Sequence, residues 1–312
     1  MKKISLIFPG YGLSNIDCLK LFFKKHIIIR KTFEEASDIL HKNIYNNCFK
    51  KKNNPLYLKK NMHLLIFISS IAIYKLLNQK IYIKPSIFAG HSLGQYSALV
   101  CNNNILFQEA LKIVNIRHKI MLLAVKDTRV LTLVIIGLNY ILIEKICSLI
   151  SNKKKVFISI INSKTQVVIT GHYSAVYTAG QIFKKQLHVK VIRLPIPFTS
   201  HCFLMKNYKK KFSRSLRKIK ISKGKYPIIG NYRSKILTSK QDIYISLLKQ
   251  IYKKVHWKQC IMKIISMGIS IFIEVGLGKV LTNLNKEYRK ISSYSTNNNQ
   301  KLSLIIDIIK KL

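Results

Sequence analysis

Residues Ala89-Gly90-His91-Ser92-Leu93-Gly94 form a G-x-S-x-G pattern. A serine between glycines on a tight strand-to-helix turn projects its oxygen clear of the backbone, and the N–H groups that open the helix can receive a developing oxyanion. That chemistry is nucleophilic attack by Ser92 on a carbonyl carbon. A hydroxyl attacks poorly until a neighbour takes its proton, so a base is required, and nine histidines are available. His201 is favoured: it sits in Pro195-Ile-Pro-Phe-Thr-Ser-His201-Cys202, a loop between two structured segments. His26 and His188 lie in lysine-flanked amphipathic segments and read as solvated. His91 is the rival, but a side chain next to the nucleophile in a sharp turn points away from it. Both Ser92 and His201 are expected in a surface cleft. On its own the five-residue pattern is weak, because Gly and Ser are ordinary turn residues; its setting between a strand and a helix gives it weight.

The elements that must position these groups follow from hydrophobic period. Residues 3–8 (KISLIF), ended by Pro-Gly, and 86–89 (SIFA), ended by Gly90, read as buried strands. Segments 33–40, 64–77, 96–102 and 108–125 carry apolar residues at helical spacing. Strands alternating with helices predict an α/β fold with a parallel sheet, here a large α/β-hydrolase-like unit. The middle of the chain has a different order: strand 131–137, helix 141–150, strands 156–161 and 167–171, helix 175–186, strand 189–194. This βαββαβ sequence predicts a small ferredoxin-like insertion over 128–196, flanked by 1–127 and 197–312 as the large unit. The α/β pattern resumes with strand 227–230, helices 241–252 and 257–267, and strand 270–275, while the Asn/Ser/Lys-rich stretch 292–301 reads as a loop.

Composition bounds the rest. With 312 residues, 48% of them hydrophobic, the chain can bury a large core. Its longest apolar stretches, 63–77 and 130–143, fall short of the roughly 18 residues that span a bilayer. The N-terminal apolar run stops at Pro9 after about four residues, too few for a signal peptide. A cytoplasmic protein with no membrane association is expected. The six cysteines are scattered, with no C-x-x-C pair and no histidine at ligand spacing, so they read as reduced, buried small hydrophobes without a metal. Lys and Arg total 55 against 11 Asp and Glu, a formal charge of +44. The basic residues run along the whole length with abundant Ile, Asn, Tyr and Phe, as codon bias in an AT-rich genome produces. A dedicated nucleic-acid binder concentrates its charge on one element, so none is expected here.

Several motifs together resemble the bacterial malonyl-CoA:acyl carrier protein transacylases of type II fatty acid synthesis. They are Phe8-Pro-Gly-Tyr-Gly12, Ala89-Gly-His-Ser-Leu-Gly-Gln-Tyr-Ser-Ala98, Ile116-Arg117, Asn162-Ser with Gln166-Val-Val-Ile-Thr-Gly171, Ser200-His-Cys-Phe-Leu-Met205 and Glu274-Val-Gly-Leu-Gly-Lys-Val-Leu281, in the family's order over the whole length. The resemblance implies that Ser92 is acylated, that His201 is its general base and acid, and that the backbone N–H groups of Tyr11 and Leu93 form the oxyanion hole. It also implies that Arg117 pairs with the malonyl carboxylate, a task for a planar bidentate guanidinium, and that a backbone carbonyl near Gln250 orients His201. Malonyl-CoA and the acidic acyl carrier protein are the implied partners. No metal or bound cofactor is implied, and the chain is expected to act as a monomer.

The chain departs from the family pattern at four places. Tyr11 and His63 stand where the family has Gln, Leu277 replaces a proline, and residues 126–130 lack the usual glycines. These changes bear on substrate fit more than on chemistry. Two other functions are weighed beside transfer. A serine hydrolase or thioesterase needs a triad acid between nucleophile and base, where only Glu109, Asp127 and Glu144 lie. A non-catalytic protein that binds nucleic acid or an acidic carrier through its charge is the third reading.

Overall fold

Two sheets carry the chain, and the alternation of side chains along their strands decides what each face packs against. The computed structural model describes residues 3–12, 16–49, 55–186 and 188–311. From the N-terminus come β1 (Ile4–Phe8), α1 (Ile16–Lys25), α2 (Ile27–Leu40), α3 (Ile44–Phe49), α4 (Pro55–Lys80), β2 (Ile87–Gly90), α5 (Gly94–Cys101) and α6 (Phe107–Leu123). The middle runs β3 (Val130–Ile136), α7 (Tyr140–Ile150), β4 (Val156–Ile161), β5 (Gln166–His172), α8 (Tyr173–Lys184) and β6 (Lys190–Arg193). A 3-10 turn at Phe203–Tyr208 then leads into α9 (Lys209–Leu216), β7 (Ile228–Ile229), α10 (Lys240–Gln250) and α11 (Trp257–Ser266). The last elements are β8 (Ile271–Glu274), α12 (Val280–Leu284), β9 (Ser292–Ser295) and α13 (Asn299–Lys310).

The larger sheet is parallel throughout, in the order β7-β2-β1-β8-β9. Parallel strands covered on both faces need near-continuous apolar runs, which ISLIF, IFAG and IFIE provide. Ile4, Leu6, Phe8, Ile271 and Ile273 enter one core, while Ile7, Ile87, Ala89, Ile229 and Phe272 enter a second on the other face. The mixed α/β class with a parallel sheet is the one expected.

Within the first core, α4 is longer than its apolar stretch announced. By length and composition its Lys60–Lys80 part could cross a membrane, but 72% of the apolar segment is buried inside the protein. A helix apolar all round belongs in the interior of a large domain, and this one fills that role.

The second sheet is antiparallel, in the order β4-β5-β3-β6. Here alternation divides two jobs. Leu131, Leu133, Ile135, Val167 and Ile169 pack under Ile143, Cys147, Val176, Ala179 and Phe183 of α7 and α8. Their neighbours Thr132, Val134, Val168 and Thr170 face the opposite way, into a cavity. A link to the rest of the chain runs through β4, where Ile161 N–H donates to Val255 O and Val255 N–H to Ser159 O, each at 2.9 Å.

The stretch 292–301 is not a loop. Ser292–Ser295 pairs in parallel with β8, Ile271 opposite Ser292 through Glu274 opposite Ser295. Three serines in four residues carry little strand signal, and it is the β8 ladder that satisfies their backbone. Asn298 then caps α13, its side chain accepting from Lys301 N–H at 2.8 Å. His26 also differs from expectation: it is half-buried, with Nε2 2.7 Å from Asn299 Oδ1. The five cysteines whose side chains are described, Cys18, Cys101, Cys147, Cys202 and Cys260, are free and buried; the Cys48 side chain lies outside the described residues.

Candidate active site

The turn between β2 and α5 can close only because its glycines lack side chains. A Cβ on Gly94 would run into the Phe8 carbonyl of β1, and one on Gly90 into the backbone of Gly94 and Gln95. Compressed this way, the turn holds Ser92 at φ 54°, in the left-handed region. His201 has φ 60°. Two non-glycine residues in a strained backbone state persist only where their surroundings over-determine them. Ser92 and His201 are 8% and 2% exposed; the surface cleft expected takes the form of a cavity lined by Ser92, with His201 buried beside it.

His201 Nε2 lies 2.7 Å from Ser92 Oγ, and His201 Nδ1 lies 2.6 Å from Gln250 O. A carbonyl oxygen only accepts, so Nδ1 carries the proton and the Nε2 lone pair faces the serine hydroxyl. Burial first, and the nearby Arg117 charge second, push the His201 pKa down to about 3. The imidazole is therefore neutral near pH 7 and free to take a proton.

Arg117, on α6, is 4% exposed, and its Nη2 donates to Ser92 Oγ at 3.2 Å. Among the described residues its Nε has no hydrogen-bond partner and none of the ion pairs involves it. The Tyr96 ring lies 5.8 Å from the guanidinium carbon. A buried cation without a carboxylate is costly. The site thus holds positive charge where an anionic substrate group can meet it.

A cavity of about 250 Å³ opens above Ser92, with Tyr11, Arg117 and Phe198 on its walls and Thr132 and Val168 closing it from the antiparallel sheet. Tyr11 sets its ring edge against Phe198, centroids 5.2 Å apart. Leu93, just ahead of α5, also lines the cavity, and its N–H meets no protein acceptor among the described residues. Of the six residues named from sequence, Tyr11, Ser92, Leu93 and Arg117 line this cavity, while His201 and the Gln250 carbonyl stand in line behind Ser92 Oγ. His91 turns away from Ser92 as expected: its Nε2 is 2.9 Å from Asn162 Oδ1 and its ring meets Trp257 edge-on. Glu109 accepts from Lys220 N–H and Glu144 pairs with Lys254. Neither carboxylate bonds to His201. Among the described residues no group of three His, Cys, Asp or Glu could hold a metal ion.

Three amide side chains clamp the turn from behind; sequence reasoning missed Asn231 and Gln95 and named Gln250 for its carbonyl alone. Asn231 Oδ1 accepts from Ser92 N–H at 2.7 Å, and Asn231 Nδ2 donates to Gly90 O at 2.7 Å. Gln250 Nε2 lies 2.9–3.0 Å from Ser92 O, Gln95 Oε1 and Asn231 Oδ1, sharing two protons among three acceptors. Gln95 Nε2 donates onward to Ser246 Oγ at 2.9 Å. Asn and Gln have no spacing signature for such a role. Only the β2–β7 register, Phe88 opposite Ile228 and Ala89 opposite Ile229, brings Asn231 against the turn.

His63 lies behind Arg117's helix, its ring stacked on His118 at 3.7 Å. Burial pushes His63 well below its ordinary pKa of 6.5, and burial with the Arg117 charge pushes His118 down to about 4. Histidines that resist protonation when folded but accept it when unfolded draw the equilibrium toward unfolding in acid. Their stabilising contribution is complete above about pH 6.5 and shrinks as the pH falls toward 4. Glu274, whose burial raises its carboxyl pKa, acts in the opposite sense but is one group against several. Urea unfolding should show a lower midpoint at pH 5 than at pH 7; equal midpoints would mean that these histidines titrate normally.

An acyl transferase domain matches residues 60–297. The chain is 38% identical to a malonyl CoA-acyl carrier protein transacylase of Buchnera aphidicola subsp. Schizaphis graminum over 96% of each chain. It superposes on the crystal structure of FabD from Acinetobacter baumannii with a TM-score of 0.93 at 30% identity, covering 99% of both chains. A second structure, a malonyl-transacylase in complex with its type II PKS acyl-carrier protein, gives 0.93 at 30% identity over 98% of this chain and 100% of that one. With a domain match over most of its length and a relative 38% identical over 96% of each chain, the chain belongs to the malonyl CoA-acyl carrier protein transacylase family.

Proposed function

We propose that Ser92 carries a malonyl group from malonyl-CoA to the phosphopantetheine thiol of an acyl carrier protein, with His201 moving the protons. The observation that carries this reading is the line Ser92 Oγ, His201 Nε2, Gln250 O, with Arg117 Nη2 3.2 Å from the same serine oxygen. Ser92 Oγ attacks the thioester carbonyl as its proton passes to His201 Nε2, and Gln250 O steadies the imidazolium through Nδ1–H. The tetrahedral oxyanion is received by the N–H groups of Leu93 and Tyr11. Collapse breaks the C–S bond, and the CoA sulfur leaves with the proton from His201. The carrier thiol then repeats the sequence in reverse on the Ser92 ester. Arg117 holds the malonyl carboxylate. The solved complex of a malonyl-transacylase with its acyl-carrier protein supports the choice of acceptor. An intact-mass measurement after mixing with malonyl-CoA tests the reading: one malonyl increment is expected, and an unchanged mass would sink it.

The same reading includes a division of the chain. Chain order βαββαβ and sheet order β4-β5-β3-β6 support a ferredoxin-like unit over 128–196, and the strand–Ser92–helix turn supports an α/β-hydrolase-like unit from 1–127 and 197–312. A cytoplasmic setting and the absence of a dedicated nucleic-acid surface also belong to it.

A hydrolase triad is the competing reading, and it makes a different prediction. Glu109 accepts from Lys220 N–H, Glu144 pairs with Lys254 at the surface, and Asp127 is exposed. Asp127→Ala and Glu144→Ala should each leave the transfer rate within about threefold of wild type, since exposed pairs contribute little. A loss of several hundredfold at either would favour the triad.

A further inference from the structure

A buried chain of hydroxyls runs from the antiparallel sheet to the loop that bears His201. Thr132 Oγ1 lies 2.8 Å from Thr170 Oγ1, Thr170 Oγ1 lies 2.8 Å from Thr199 Oγ1, and Thr199 Oγ1 lies 3.3 Å from Cys202 Sγ. All four residues are at most 5% exposed. Thr170 Oγ1 also lies 3.2 Å from Leu131 O, which can only accept. One arrangement of protons then satisfies every contact. Thr170 donates to Leu131 O, Thr132 and Thr199 both donate to Thr170, and the Cys202 thiol donates to Thr199. Thr170 is the hub.

Thr199 and Cys202 flank His201, whose φ of 60° needs support. One side of that support comes from the end of α10: Ile251 O accepts from His201 N–H at 2.9 Å and Gln250 O from Nδ1–H at 2.6 Å. Among the described residues, the side-chain hydrogen bonds on either side of the histidine are those of Thr199 and Cys202. Thr132 and Thr170 are directly opposite each other in the β3–β5 register, so they form a rigid anchor. We propose that the Thr132–Thr170–Thr199–Cys202 chain positions His201, making Thr170 a positioning residue that sets the Ser92 Oγ to His201 Nε2 approach without touching either group. This rests on Ser92 and His201 being the reacting pair.

Two variants of the hub separate its hydroxyl from its shape: Thr170→Val keeps the β-branch and loses the hydrogen bonds, while Thr170→Ser keeps the hydroxyl. Two rates are read: single-turnover acylation of Ser92 by malonyl-CoA, and inactivation by a small fluorophosphonate, which needs the serine–histidine pair but not malonyl recognition. Thr170→Val should slow both about ten- to 100-fold, the cost of a broken buried hydrogen-bond network, with little change in KM, and Thr170→Ser should stay within about threefold. Thr199→Val should match Thr170→Val, and should carry the test if the sheet variant does not fold. Native rates in the folded valine variant would overturn the positioning role, as would a loss confined to malonyl-CoA, which would reduce Thr170 to a wall of the cavity. Ser92→Ala, run alongside, separates the two readings. If it still acquired label, the reacting pair itself would be wrong, whereas an inert Ser92→Ala beside a fully active Thr170→Val overturns the hydroxyl chain alone.

Discussion

Ser92→Ala should show no malonyl increment in its intact mass after exposure to malonyl-CoA, and His201→Ala should acylate about 10²- to 10⁴-fold more slowly than wild type, the range that a positioned general base supplies. The reason is geometric. With Nδ1–H committed to Gln250 O, the basic lone pair within reach of Ser92 Oγ among the described residues is His201 Nε2 at 2.7 Å. Among the described residues no carboxylate bonds to His201, so no second base stands ready behind it. The two variants differ in what they do to the fold. Alanine at 92 keeps the Asn231 and Gln250 contacts, which use the Ser92 backbone, and should melt as wild type does. Alanine at 201 empties a fully enclosed position and leaves the buried Gln250 carbonyl without its partner, at a cost of about 1–3 kcal/mol. Circular dichroism melts should show that loss as a lower but still cooperative transition. Near-native acylation by His201→Ala would remove His201 from the mechanism.

How much of this was legible beforehand depended on whether a residue acts through local context or through tertiary register. The strand–Ser92–helix turn was readable because its glycines, its strand and its helix lie within a few residues of sequence. His201 could be chosen among nine histidines from its loop, and Arg117, Tyr11, Leu93 and Gln250 entered through family resemblance. The βαββαβ order of the middle segment was readable because each strand alternates around a helix-covered face. Asn231 and Gln95 were invisible, since their amides matter only after β7 is laid beside β2. β9 was missed for a similar reason: Ser292–Ser295 is a strand because β8 offers it a ladder, not because serine prefers one. The shape of the cleft at Ser92 was not readable, because its lining includes Phe198 and the antiparallel sheet, both distant in sequence from Ser92.

Arg117→Ala should reverse the enzyme's choice of acyl group. The guanidinium is 4% exposed, its Nε is unpartnered, and it points Nη2 at Ser92 Oγ, so a malonyl carboxylate on that oxygen's acyl chain would meet a charged, water-poor fork. A charge-assisted hydrogen bond is worth about 1.5–3 kcal/mol, so malonyl transfer should fall roughly 10- to 150-fold in kcat/KM. Arg117→Lys should recover only part of that, because a single ammonium cannot grip both carboxylate oxygens. Acetyl-CoA makes no such contact and gains in two ways. The variant no longer leaves a buried cation unpaired beside a neutral acyl group. It also removes the second-largest cause of the low His201 pKa, so the imidazole moves up from about 3 and becomes a stronger base while staying neutral at pH 7. Acetyl transfer should therefore be equal to wild type or faster. The measurement is kcat/KM for both thioesters in the three proteins. Equal losses on the two substrates would assign Arg117 to holding the serine through its 3.2 Å bond to Oγ, and the carboxylate would then have to be recognised by another group on the cavity wall.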